Sequence, residues 1–260
     1  MHGPSSSGKT TFAKRLEIGL KLNGLKPLTI SVDNYFVERD ETPIDEYGKY
    51  DFEAIGAVDT ELLNKDLVKL LKGEEIDAPT FNFALGKKEY KGNKMKLQED
   101  QVLVMEGIHC LNDKLTYLIP KDQKYKIYIS CLTVLNMDYY NRIATTDSRL
   151  IRRMVRDKQF RGYAALKTLE IWPSVNRGEA KNIFPFQEQA NMMFNSSLIY
   201  ELAVLKKYAV PLLKEIEKES PEYSEAKRLL AMFSYFENIP DEAVPDNSLL
   251  KEFIGGSIFE

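Results

Sequence analysis

Gly3-Pro4-Ser5-Ser6-Ser7-Gly8-Lys9-Thr10-Thr11 stands almost at the start of the 260-residue chain. Two glycines separated by four residues and followed by Lys and Thr make the pattern in which backbone N–H groups wrap nucleotide phosphates. The glycines permit the turn and the close approach of backbone to phosphate. Lys9 would reach the terminal phosphates, and the Thr10 hydroxyl would hold Mg²⁺. The helix beginning there would point its positive end at the anion. Phe12, Leu16 and Leu20 recur at helical spacing directly afterwards, which separates this stretch from a chance Ser/Gly-rich tail. The expected phosphate-binding set is Gly3, Ser5, Ser6, Ser7, Gly8, Lys9, Thr10 and Thr11.

Such a loop normally leaves the end of a buried parallel strand, yet only Met1 and His2 precede Gly3. The expectation is a chain cut from a longer protein, with its first strand missing. Losing that strand would remove buried side chains at roughly 1.5 to 3 kcal/mol each, so low stability is expected of residues 1–260 alone.

Working outward, residues 28–32 read as a β-strand ending in Asp33-Asn34-Tyr35-Phe36, and Asp59 as the cap of a helix through Leu71. Residues 78–83 and 94–97 read as two strands of a hairpin-like excursion joined through Gly86-Lys87-Lys88. Residues 102–105 are the clearest buried strand, ending in Glu106. Further strands are expected over 125–131 and 189–195, and helices from about Asp138, over 198–208 and over 222–236. Strands alternating with helices predict an α/β fold of the P-loop NTPase type, a doubly wound parallel sheet with helices on both faces. The expected kinase-sized domain covers 1–210. A helical extension over 211–260 would pack on it.

Composition sets further bounds. With 43% hydrophobic residues and no Pro/Gly/Ser-rich linker, one substantial core is expected. A net charge of −3 offers no general attraction to nucleic acid or an anionic membrane. Positive charge is local instead: residues 142–161 hold seven Lys/Arg against two Asp. Only Cys110 and Cys131 occur, which fits a reducing, cytoplasmic setting, and no apolar run approaches the roughly 18 residues of a membrane span. His2 and His109 are the only histidines, so a histidine-based metal site or catalytic triad is not expected.

In a doubly wound sheet, ligands bind outside the carboxyl ends of the strands. Lys9, Asp33 and Glu106 all belong at that edge. Phosphoryl transfer needs such a set: a phosphate cradle, Mg²⁺, a carboxylate for the attacking hydroxyl, and arginines for the spreading charge. Arg149, Arg152, Arg153 and Arg156 recur at i, i+3, i+4 and i+7, so a helix puts all four on one face. Plainer roles exist for each. Asp33 fits a turn cap and Glu106 a solvated strand end. The arginines fit a solvated helix face, with Arg153 and Asp157 as an i, i+4 ion pair. Tyr35, Phe36, Phe81 and Phe83 fit a core as well as a stack on a base or sugar.

Together these residues resemble the phosphoribulokinase and uridine kinase family of P-loop small-molecule kinases, from Gly3 to about Asn195. Within it the chain is similar to bacterial nucleoside-kinase-like proteins that carry a TGS-type region upstream. The resemblance implies Asp33 as general base, with Lys9 and Arg153 on the transferred phosphoryl group. It implies Thr10 and Glu106 at Mg²⁺, and Arg152 and Arg156 in a lid over ATP that covers about 142–182. Tyr35, Asp51, Phe81, Phe83, Arg153 and Arg161 would then face the acceptor. Gly86, Tyr163 and Ile171 stand where uridine kinases carry histidine, arginine and glutamine.

The implied activity is ATP- and Mg²⁺-dependent phosphoryl transfer to a hydroxyl of a small molecule, a nucleoside first and a sugar or sugar phosphate as the alternative. A GTPase is disfavoured by the lack of an Asn-Lys-x-Asp motif. A non-catalytic nucleotide-binding or RNA-associated module is the remaining alternative. The expected partner is a small-molecule substrate, with no membrane or nucleic acid, and self-association is left open.

Overall fold

The computed structural model describes residues 1–83 and 85–259. In chain order its elements are α1 (Lys9–Leu22), β1 (Lys26–Ser31), α2 (Thr60–Leu71), β2 (Glu75–Asp77), β3 (Thr80–Asn82), β4 (Lys87–Glu89), β5 (Lys94–Lys96) and β6 (Gln101–Glu106). They continue with β7 (Ile127–Ser130), α3 (Thr145–Arg161), α4 (Ala165–Asn182), β8 (Met192–Asn195), α5 (Glu201–Lys214), α6 (Tyr223–Phe233) and α7 (Lys251–Ile254). The fold class is α/β. No helix among the described residues is long and apolar enough to cross a membrane.

The chain sorts into two compact units. The first comprises Met1–Pro4, Ala13–Tyr128 and Arg177–Met193. Its centre is the parallel pair β1–β6, in register from Lys26↔Gln101 to Ser31↔Glu106. A parallel pair needs a crossover, and α2 supplies it. Asp59 caps α2 as expected, accepting from Leu62 N at 3.0 Å. Leu63, Leu67 and Leu70 bury its inner face with Ile30, Val32, Tyr35, Phe36 and Leu115.

Met1 and His2 lie between the carboxyl end of β6 and the first residues of β7. Met1 N donates to Met105 O (2.5 Å), Gly107 N to Met1 O (3.2 Å) and His2 N to Ile127 O (2.9 Å), and His2 bridges Tyr128 in parallel. These two residues continue the sheet across from β6 to β7. They flank only the last residues of β6. The fully buried strand expected there is therefore half-buried, with Val104 alone inside.

The excursion differs from its expected form. Gly86, at φ 69°, closes a local antiparallel pair in which β3 meets β4 (Thr80↔Glu89), so Lys87 and Lys88 belong to a strand and not to a joint. The strand at 94–96 pairs instead with β2, Glu75↔Lys96. Two nested pairs replace one hairpin.

The second unit comprises Ser5–Phe12, Ile129–Asn176 and Phe194–Glu260. Its core joins α3, α5, α6 and the segment through α7, with Leu150, Ile151, Met154, Leu205, Leu213, Leu229, Phe233 and Phe253 all buried. Helix α3 begins at Thr145 and not near Asp138. The Asp138 carboxylate accepts from Tyr140 N and Asn141 N, both at 2.8 Å, and this local bonding competes with a helix. Helix α4 was not legible: Pro173 sits inside it and the left-handed Gly162 precedes it. The C-terminal residues fold as α7, with Phe253 and Ile254 in this core.

Candidate functional site

The loop Ser5–Phe12 belongs to the second unit. Ser6 (φ 57°) and Gly8 (φ 85°) both take the left-handed region, Ser6 being the one non-glycine residue among those described to do so. Backbone strain of this kind persists where the surroundings hold it, commonly at binding sites. Alternating handedness turns successive N–H groups inward, as an anion cradle requires. Helix α1 then starts at Lys9, with Phe12 N donating to Gly8 O (3.1 Å) and no acidic side chain in its own first turn. Its positive end is uncompensated from within. The Ser6 and Ser7 hydroxyls are buried and have no hydrogen-bond partner. Such orphaned groups are costly unless something polar completes them.

Helix α3 supplies the positive charge beside that loop. Arg149 Nη1 donates to Ser5 O (3.1 Å), Arg153 Nη1 to Ser5 Oγ (2.9 Å) and Arg152 Nη1 to Ser6 O (3.4 Å). In a trans peptide the N–H points opposite to the C=O, so arginines on the Ser5 and Ser6 carbonyls leave the Ser6 and Ser7 N–H groups facing away. The i, i+3, i+4 spacing thus becomes a scaffold for the loop. Arg149 and Arg152 are buried, not spread on a solvated surface.

Arg152 is the anchor. It also donates to Ser196 O (2.7 Å), Ser196 Oγ (3.3 Å) and the Glu201 carboxylate, and lies 5.1 Å from the Phe253 ring centroid. Burial alone would lower the pKa of this guanidinium; the Glu201 charge outweighs that and raises it. Arg149 lies over Trp172 at 5.4 Å. Asp157, fully buried, gathers Arg153 Nε (3.3 Å), Arg156 Nη2 (2.8 Å) and Arg161 Nη1 (3.4 Å). The Arg153–Asp157 pair was legible from i, i+4 spacing. Glu201 and Ser196, more than forty positions from Arg152, left no signal.

The first unit carries the acids. Asp33 sits in the 3₁₀ turn Val32–Tyr35 that follows β1 directly, and Glu106 ends the adjacent parallel strand. Ser31 Oγ donates to Glu106 Oε1 at 2.6 Å, tying the two strand ends together. A Cβ at Gly107 would stand 2.7 Å from Val32 Cβ, so only glycine lets them close up here. Asp33 and Glu106 are therefore brought to one end of the same strand pair.

The expected acceptor residues fall into different settings. Tyr35 is fully buried; its hydroxyl donates to Asp66 Oδ2 (3.2 Å), and burial followed by the Asp66 charge pushes its pKa well up. Phe36, Phe81 and Phe83 form an aromatic cluster with centroids 5.1 to 6.2 Å apart, of which Phe83 alone is exposed. Asp51 accepts from Glu53 N (3.1 Å) in a half-buried loop. Gly86 lies under Arg39, which a Cβ there would meet at 2.8 Å, and Arg39 Nη2 donates to Phe83 O (2.7 Å). A larger side chain at position 86 would displace this arginine.

His109 is fully buried beside Asp51 and the Ala54 carbonyl, and burial pushes its pKa down to about 4. Between that value and the ordinary one near 6.5, the unfolded chain binds a proton that the folded chain refuses. Stability should therefore fall as pH drops through this window and level off below it. Urea midpoints at several pH values should show this slope, and His109→Gln should flatten it.

The sequence profile of the phosphoribulokinase / uridine kinase family matches residues 1–201. A uridine kinase of Ligilactobacillus salivarius is 28% identical over 172 residues, which is 66% of this chain and 71% of that one. A uridine kinase of Halalkalibacterium halodurans is 28% identical over 176 residues, 67% and 74% of the two chains. Among solved structures, a possible uridine kinase from Bacillus stearothermophilus aligns with a TM-score of 0.47 at 17% identity, covering 75% of this chain and 85% of that one.

Proposed function

The chain belongs to the phosphoribulokinase / uridine kinase family of P-loop kinases, and on that footing we propose that it transfers the terminal phosphoryl group of ATP to a hydroxyl of a nucleoside. The observation that carries the nucleotide half of this reading is the loop itself. Ser6 and Gly8 are left-handed, the Ser6 and Ser7 hydroxyls are buried without partners, and two α3 arginines take up the Ser5 and Ser6 carbonyls while a third meets the Ser5 hydroxyl. These are the features an incoming phosphate would complete. Thr10 and Glu106 are the candidate holders of Mg²⁺. With so few protein ligands, an ion there would be held largely by water and phosphate oxygens. When bound, the ion would neutralise charge on the phosphates.

In this reading Asp33 takes the proton of the acceptor hydroxyl, and Lys9 and Arg153 meet the charge of the transferred group. Arg152 holds the arginine helix in place through Glu201, and Asp157 braces the Arg153, Arg156 and Arg161 side chains along it. Phe83 and Asp51 face the acceptor, with Phe81 behind them. Arg161 would act from the end of α3.

Lys9→Ala should weaken ATP binding at least tenfold, since a charge-assisted contact to phosphate is lost. Calorimetry with ATP and Mg²⁺ checks this, and unchanged affinity would mean that the loop is no phosphate cradle. A sugar phosphate is the second reading of the acceptor. It is favoured by Arg39, a guanidinium beside the exposed Phe83 and over Gly86. Initial rates against a panel of nucleosides and sugar phosphates decide between the two.

A further inference from the structure

We propose that the C-terminal segment around α7 is an internal competitor for the nucleotide, with the Glu252 carboxylate seated on a backbone N–H that a nucleotide phosphate would use. The inference rests on the reading of Gly3 to Thr11 as a phosphate cradle and adds a regulatory element to it. Glu252 Oε2 accepts from Thr11 N at 3.0 Å. Thr11 is the third residue of α1, so this N–H is one of the donors that a helix start leaves without an intrahelical partner. The helix has no acid of its own in that turn, and the one it receives comes from 241 positions away.

The contact is built, not incidental. Leu249 covers the cradle glycine so closely that a Cβ on Gly8 would stand 2.5 Å from Leu249 Cδ2. Phe253 is fully buried against the Arg152 guanidinium, and Gln159 Nε2 donates to Ile254 O at 2.7 Å. Three side chains of one short segment thereby engage the loop and the arginine helix that supports it. With the segment in place, the Ser6 and Ser7 hydroxyls still lack partners. Glu252 therefore meets only part of what the cradle offers an anion.

A carboxylate and a phosphate cannot share one donor. Two negative charges within about 4 Å repel, and the water-poor surroundings of a buried loop screen them little. ATP must displace Glu252, and Leu249 must move off Gly8. The segment is linked to α6 through residues 234–250, a stretch that includes Pro240 and Pro245 and whose regular structure is a short 3₁₀ turn, Asp241–Ala243.

The test uses the full chain with ATP and Mg²⁺. Glu252→Gln keeps the shape and removes the charge; it should tighten ATP binding by roughly tenfold. Hydrogen exchange of the backbone amides of residues 249–254 should become faster in the wild-type protein when ATP is added. Unchanged or weaker affinity in Glu252→Gln, while Lys9→Ala still loses binding, would overturn the competitor role and leave the cradle standing. So would protection of residues 249–254 by ATP, because the segment would then be a wall of the site. If Lys9→Ala changes nothing, the cradle reading fails and the inference fails with it.

Discussion

Asp33→Asn is expected to lower turnover by roughly 10² to 10⁴-fold, the usual worth of a positioned general base, while ATP affinity stays within about twofold. The carboxamide has the volume and reach of the carboxylate but cannot accept the proton of an attacking hydroxyl. Asp33 is held in the 3₁₀ turn Val32–Tyr35 at the end of β1, and the neighbouring strand end is pinned by the Ser31–Glu106 hydrogen bond. The substitution should therefore leave the backbone where it is. A steady-state assay on whichever acceptor the panel identifies, paired with ATP calorimetry, reads the two quantities separately. Turnover at the wild-type rate would remove Asp33 as the base, and a parallel loss of ATP binding would assign it to the nucleotide instead.

The second large effect is on stability. Arg152→Ala should cost about 3 to 5 kcal/mol, because it strands the Glu201 carboxylate, 2% exposed, without its counter-charge. The same substitution frees the Ser6 carbonyl and removes the support of the loop, so ATP binding should weaken in whatever fraction remains folded. Arg152→Lys should recover little, since an ammonium cannot serve Ser6 O, Ser196 O and Glu201 in one plane while lying against Phe253. Replacing both partners by leucine should cost less than Arg152→Ala alone, as expected when the penalty is a stranded charge and not a lost attraction. Urea denaturation of the three variants measures this. A double variant no better than the single would mean that the pair contributes net attraction. By contrast, the Arg228–Asp147 bridge has a half-exposed arginine and should contribute a kcal/mol or less.

Much of this protein was legible from local pattern. The loop from Gly3 to Thr11 is a contiguous motif, and the Asp59 cap follows from one residue and the leucines after it. The parallel pairing of the strands ending at Ser31 and Glu106 follows from strand, helix and strand alternating in order. The nested excursion was misread because two turn glycines, Gly86 and Gly92, offer more than one closure, and only the partners select among them. The helical start near Asp138 was misread because a side chain satisfied backbone donors that a helix would have used.

Residue spacing alone thus placed the turn and helix start of Gly3–Thr11, the strand-end acids and the one-sided arginines, because each depends on neighbours within about a turn or a strand. It could not say that Arg152 would be sealed against Glu201, that Tyr35 would be closed in by Asp66, or that Glu252 would come back to Thr11. Those pairings join residues 31 to 241 positions apart. Such contacts are chosen by burial, where a charge or hydroxyl removed from water must find whatever partner the packed core brings to it.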